Sequence, residues 1–155
     1  MNAVFVRAAV VVVGITSVVG CASMRRMNPD EAIAARQQLM KEQGAAMKSI
    51  SDKVKAGQIQ AVAVDAQKLE DTAKQIPKLF PENSVNPSTS RAKPEIWQKW
   101  SDFEGYTKSL ETKARQLEAS AKAGDGAATQ AQATDLGKTT CGACHTSFRG
   151  PEIKK

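Results

Sequence analysis

Between Val62 and Phe80 the apolar residues step by four and three: Val62, Ala66, Leu69, Ala73, Ile76 and Phe80. An α-helix returns to the same face at those intervals, so these side chains form one seam that must be buried against other helices. Two more segments carry the same signature. Ile33, Met40, Met47 and Val54 recur every seven residues with Ile50 beside them, and Phe103, Tyr106, Leu110, Leu117 and Ala121 line another face. No stretch alternates with a period of two, so no strand competes. Aromatic residues make up only 5% of the chain while Ala, Lys and Gln abound, a mixture that favours helices.

Punctuation between the seams sets the organisation. Asn28, Pro29, Asp30 and Glu31 read as the cap, first position and acidic first turn of a helix that Gly57 closes. Pro77 kinks or ends the second helix. Residues 81–94, PENSVNPSTSRAKP, form a loop expected to cross the bundle end; about 2–8 residues is usual between bundle helices. Ser101 with Glu104 reads as a capping box for the third helix. AGDG ends that helix, and Asp125 is placed to cap a last one running through Leu136 into the Cys141–Phe148 segment. Four amphipathic helices with one long and two short connections predict an all-α fold, an antiparallel four-helix bundle over residues 29–150.

The first twenty residues differ in kind. One Arg is followed by about a dozen mostly apolar residues, Ala8 to Gly20, short of the roughly 20 needed to span a bilayer and suited to a signal-peptide core. The stretch ends in VVGC, which resembles the lipobox of bacterial lipoproteins, with Val18 where Leu is usual. The expectation is cleavage before Cys21, lipidation of Cys21, a tether over 21–28, a tail over 151–155, and a periplasmic, membrane-anchored protein. An ordinary signal peptide would give a soluble periplasmic protein instead.

The formal charge of +6 is spread out, and KEQGAAMKSISDKVK interleaves both signs. That is a solvated helix face and not a nucleic-acid footprint, so no nucleic acid partner is expected. No paired acids and no nucleophile beside a base are visible, which argues for a carrier or binding protein and not an enzyme.

Chemistry is concentrated in CGACH. The chain has three Cys and one His, and Cys141, Cys144 and His145 take all but Cys21. Structural zinc wants four ligands, normally as two spaced pairs, whereas only Cys141, Cys144 and His145 lie together here, and adjacent Cys144 and His145 are poorly placed to share one tetrahedral ion. A thioredoxin-like dithiol belongs beside a βαβ pattern, which is absent, and a simple disulfide leaves His145 unexplained. Cys-x-x-Cys-His is the attachment signature of c-type haem. Its thiols form thioethers with the two vinyl groups, and the following imidazole reaches the iron. The cofactor expected is one covalent haem c attached on the C-terminal helix, with His145 as iron ligand. With no second His, methionine is the main internal candidate for the sixth position. Met40 and Met47 point into the bundle, where packing is the ordinary role of methionine. Arg149, one turn after His145, is placed near the imidazole; Phe148 is expected beside the haem edge, Leu39 and Phe80 in the core, and Trp97 and Trp100 docking the loop.

With CGACH followed by TSFR near the C-terminus, RQQLMK in the first helix, IPKLFPE ending the second and KPEIW before the third, residues 29–150 resemble the class II c-type cytochromes, the cytochrome c prime family with its methionine-ligated relatives. The resemblance implies that Met40, four residues after Arg36, faces the distal side of the haem as iron ligand, and that Arg36 pairs with a haem propionate. It implies a low-spin electron-transfer protein with redox partner proteins. The alternative is a five-coordinate, high-spin protein that binds nitric oxide or carbon monoxide. Many members of the family are homodimers built on the first two helices.

Overall fold

The computed structural model describes residues 27–82 and 84–153. The leader over 1–20 and the lipidation of Cys21 therefore concern residues outside those described. Three long helices, α1 (Pro29–Lys55), α2 (Val62–Ala73) and α4 (Trp100–Lys122), pack with a composite fourth one. That fourth rod is α5 (Gly126–Asp135), a π-helical stretch (Leu136–Gly142) and α6 (Ala143–Phe148) in unbroken succession. A 3-10 turn at Ile76–Leu79 ends the second rod where Pro77 removes a backbone donor, and a one-turn α3 (Glu95–Gln98) precedes α4. The four-helix bundle expected from the seams is the observed fold. Among the described residues there is one isolated β-bridge, Ala92 with Arg149, and no helix long and apolar enough to cross a membrane.

The start of α1 is fully capped. Asn28 Oδ1 accepts from Glu31 N at 2.9 Å, and Glu31 Oε2 accepts from Asn28 N at 3.2 Å, which satisfies two backbone donors reciprocally. Asp125 likewise caps α5 by accepting from Ala128 N at 2.9 Å. The capping box expected at Ser101–Glu104 does not form. α4 begins at Trp100 with Lys99 in the cap position and no side-chain cap bond, so Ser101 already lies in the first turn. Docking of α3, whose Ile96 is buried, brings the chain into helix before Ser101 is reached.

On α1 the buried stripe is Ala32, Ile33, Arg36, Leu39, Gln43, Ala46 and Ile50. Met40, Met47 and Val54, which defined the heptad in the sequence, lie half-buried along its flank. Polar Arg36 and Gln43 occupy the stripe's centre, which is why apolar periodicity pointed to its edge. Gly57, at φ +70°, makes the turn out of α1 in the left-handed region that glycine enters at little cost.

Candidate functional site

The ends of α1 and α4, the 81–94 loop and the C-terminal rod enclose a cavity of about 490 Å³. Its size falls within the range of about 300–1,000 Å³ common for ligand pockets. Phe80, Ile96, Phe103, Tyr106 and Leu110 give it an apolar, aromatic wall, and Cys141, Cys144 and His145 all line it. Met40 and Gln43 line it from α1. Met47 does not; it packs on the C-terminal rod, its Cε 3.5 Å from where a Cβ on Gly137 would lie. The structure thus separates the two methionines that helical spacing alone left equivalent.

Cys141 sits in the π-helical stretch and Cys144 with His145 on α6. A wider helical turn at this point shifts the side chains before it relative to those after it, a device common at functional sites. Gly142 suits the turn, since a Cβ there would come within 3.3 Å of the Gly137 carbonyl oxygen. Both cysteines are free thiols. Burial pushes the Cys144 thiol up to about 11, with Cys141 adding to the effect, and raises Cys141 as well. Burial lowers the pKa of His145, and the positive charges of Arg149 and Arg91 lower it further. The imidazole is therefore held neutral, the form in which a ring nitrogen can bind a metal. Arg149 lies one turn after His145 on the chain. Arg91 joins it from the loop, a contribution no local sequence pattern signals.

Phe148 is buried edge-on against Phe103 and Tyr106, with centroids 5.6 and 6.1 Å away. Trp97 docks the loop by donating from Nε1 to the carbonyls of Phe80 and Pro81, each at 3.1 Å. Trp100 packs on Phe103 at 5.5 Å. Leu39 and Phe80 are core residues, and Phe80 also faces the cavity.

Arg36 is only 3% exposed. Its Nη1 donates to Ser84 Oγ at 2.9 Å and Leu79 O at 3.4 Å, and its Nη2 to Ser84 O and Ser90 Oγ, both at 2.7 Å. The guanidinium also lies over the Phe80 ring, 4.7 Å from its centroid. Burial pulls its pKa down to about 10, which leaves it cationic at neutral pH. The Nη protons thus tie both the loop and the 3-10 turn before it to α1, while Nε–H has no partner among the described residues. At its other end the loop pairs with the chain just beyond His145: Lys93 N donates to Phe148 O at 3.0 Å, and Gly150 N to Arg91 O at 2.7 Å. Arg91 Nε adds a bond to Gly150 O at 2.9 Å. Sequence reasoning placed the loop across the bundle end but gave no sign that one arginine anchors it.

Two thiols three residues apart and a neutral imidazole, opening together on an aromatic cavity, are the donor set of a covalently bound haem. No group of three or more His, Cys, Asp or Glu side chains suited to a metal ion gathers among the described residues. The sequence profile of the family described as Cytochrome C' matches residues 31–149. The chain belongs to the cytochrome c′ family. Cytochrome c-556 from Agrobacterium tumefaciens (strain II Chrys) is 32% identical over 120 residues, which span 76% of this chain and 95% of that protein. Cytochrome c′ from Thermochromatium tepidum superposes with a TM-score of 0.71 at 27% identity, over 81% of this chain and 99% of that one. A nitric oxide complex of a cytochrome c prime variant from Alcaligenes xylosoxidans shares the fold, with a TM-score of 0.70 at 23% identity over 80% of this chain and 98% of that one. This cytochrome c′ family member is a c-type haem protein, and its cofactor is covalent haem c, with CGACH as the attachment motif.

Proposed function

We propose that the protein is a periplasmic electron carrier in which Cys141 and Cys144 would hold the haem through thioethers and His145 and Met40 would bind its iron. The observation that carries this reading is the placement of Met40, from α1, on the cavity that Cys141, Cys144 and His145 line. The haem supplies a one-electron ferric/ferrous couple. The chain supplies the rest. His145 on α6 and Met40 on α1 would hold the iron from two separate helices in both oxidation states, so that the chain need move little on electron transfer. Arg91 and Arg149 favour the neutral imidazole. Phe148 walls the haem edge, and Arg36, with Nε–H uncommitted, is assigned to a propionate. Charge-assisted bonding of that kind is strong when partly dry. An acylated Cys21 would tether the carrier to a membrane, where it meets its redox partner proteins.

A second reading, a five-coordinate iron that binds nitric oxide or carbon monoxide, draws support from the nitric oxide complex of the Alcaligenes protein. A solved cytochrome c′ of the same fold shows ligand-controlled dimer dissociation, and assembly of two copies belongs with that reading. Optical and paramagnetic-resonance spectra of both oxidation states, with and without carbon monoxide, separate the two. Met40 ligation requires low-spin ferric spectra and slow carbon monoxide binding, with Met40→Ala turning high-spin. A high-spin wild type, or a Met40→Ala spectrum identical to wild type, would remove Met40 from the iron.

A further inference from the structure

Gln43 lies one turn beyond Met40 on α1 and lines the same cavity. It is 8% exposed, in the middle of the buried stripe. Its Nε2 donates to Thr72 Oγ1 at 3.1 Å. The Thr72 hydroxyl proton is directed at the carbonyls of Lys68 and Leu69, at 2.8 and 3.1 Å. That oxygen therefore accepts from Gln43, which fixes the amide with its nitrogen towards Thr72. The other Nε2 proton and Oε1 have no partner among the described residues. Gln43 thus turns an amide with unspent hydrogen-bonding capacity to the cavity, where a polar group can meet it. Helix packing alone does not ask for it, because the stripe on either side is filled by Leu39 and Ala46.

We propose that Gln43 is a ligand-recognition residue of the haem cavity. Its tethered carboxamide donates its second proton to a small polar diatomic, of the nitric oxide class, that occupies the sixth position when Met40 is displaced. Hydrogen-bond donors on the ligand side of a haem decide which small molecules are retained. Thr72 holds the amide in place, so the donor is oriented before the ligand arrives and little ordering is needed on binding. The inference rests on haem occupying this cavity and is independent of whether Met40 bonds the iron in the resting protein.

The test uses the holoprotein in a Met40→Ala background, which frees the sixth position whatever the wild-type ligation. Infrared spectra of the ferrous carbon monoxide complex and the release rate of nitric oxide are compared with and without Gln43→Leu. Loss of the donor moves the C–O stretch to higher frequency and speeds nitric oxide release about three- to tenfold, the worth of one hydrogen bond. Gln43→Met, unbranched and adaptable in packing, gives the same two shifts and guards against a folding fault in the Leu variant. Thr72→Val, which frees the amide from its anchor, gives smaller shifts in the same direction. If stretch and release are unchanged by both Gln43 substitutions, the proposal is overturned and Gln43 is only a tie between α1 and α2. The spin state of the wild type, measured separately, reports on Met40 without bearing on Gln43.

Discussion

At the end of the bundle away from the cavity, Ile50, Val62, Ala66, Leu117 and Ala121 are each 0% exposed. At the cavity end the same helices turn Arg36, Gln43, Thr72 and Thr107 inward. One end is a dry aliphatic plug in which every layer meets another. The other is a shell of aromatic and polar side chains around a space, held in shape by hydrogen bonds. The difference divides the work: the plug packs aliphatic surface out of water, and the shell leaves room for a prosthetic group.

Substitutions at the two ends should therefore fail differently. The largest effect is expected at the plug, where Leu117→Ala should lower the stability of the holoprotein by about 3 kcal/mol in chemical denaturation, since a buried Leu→Ala change costs 2–5 kcal/mol. The haem spectrum of that variant should remain that of wild type. At the shell, Arg36→Met removes the Arg36 donor from the Ser84 hydroxyl and two carbonyls, and leaves the Ser90 hydroxyl accepting from Ala92 N alone. A loss of about 2 kcal/mol is expected, accompanied by faster proteolysis within residues 81–94. If the loop stays protected in that variant, Arg36 is not its anchor. At the turn that joins the helices of the plug end, Asp125→Ala removes the cap of α5 and should cost about 1 kcal/mol. Least of all, Arg115→Ala breaks the surface ion pairs to Glu70 and Glu111 and should leave the denaturation midpoint indistinguishable from wild type, as exposed pairs usually do.

The same contrast explains what could be read from the sequence. The seams of α2 and α4 are uninterrupted, and Val62, Leu69, Leu110 and Leu117 are buried where their spacing placed them. On the first helix Ile33 and Ile50 are buried as their spacing implies, but Met40, Met47 and Val54 lie on the flank, because the centre of the stripe holds Arg36 and Gln43. Their burial is decided by partners 29 to 54 residues away, and no window along the chain contains those partners. The motif at Cys141, Cys144 and His145 was legible because its chemistry is local. The π-helical register beneath it was not: two Gly and two Thr in LGKTTCG mark a weak helix former, but composition does not say in which way the turn departs from α. Ser101 and Glu104 illustrate the opposite error: a local signal for a helix start was overridden by tertiary docking of Ile96 and Trp97 just upstream.

The bridge between Ala92 and Arg149 has a consequence for the order in which the molecule comes apart. A chain end is ordinarily the first part of a helix to fray, and here that end adjoins the imidazole. Pairing with the loop ties it in, and Arg36 fastens the other side of that loop to the longest helix. Unravelling from the C-terminus must then release the loop and expose a buried cation together, so the three form one opening unit. The amide protons of Lys93 and Gly150, far apart in the chain, should exchange with solvent at a common rate, and the last turn behaves as a latch.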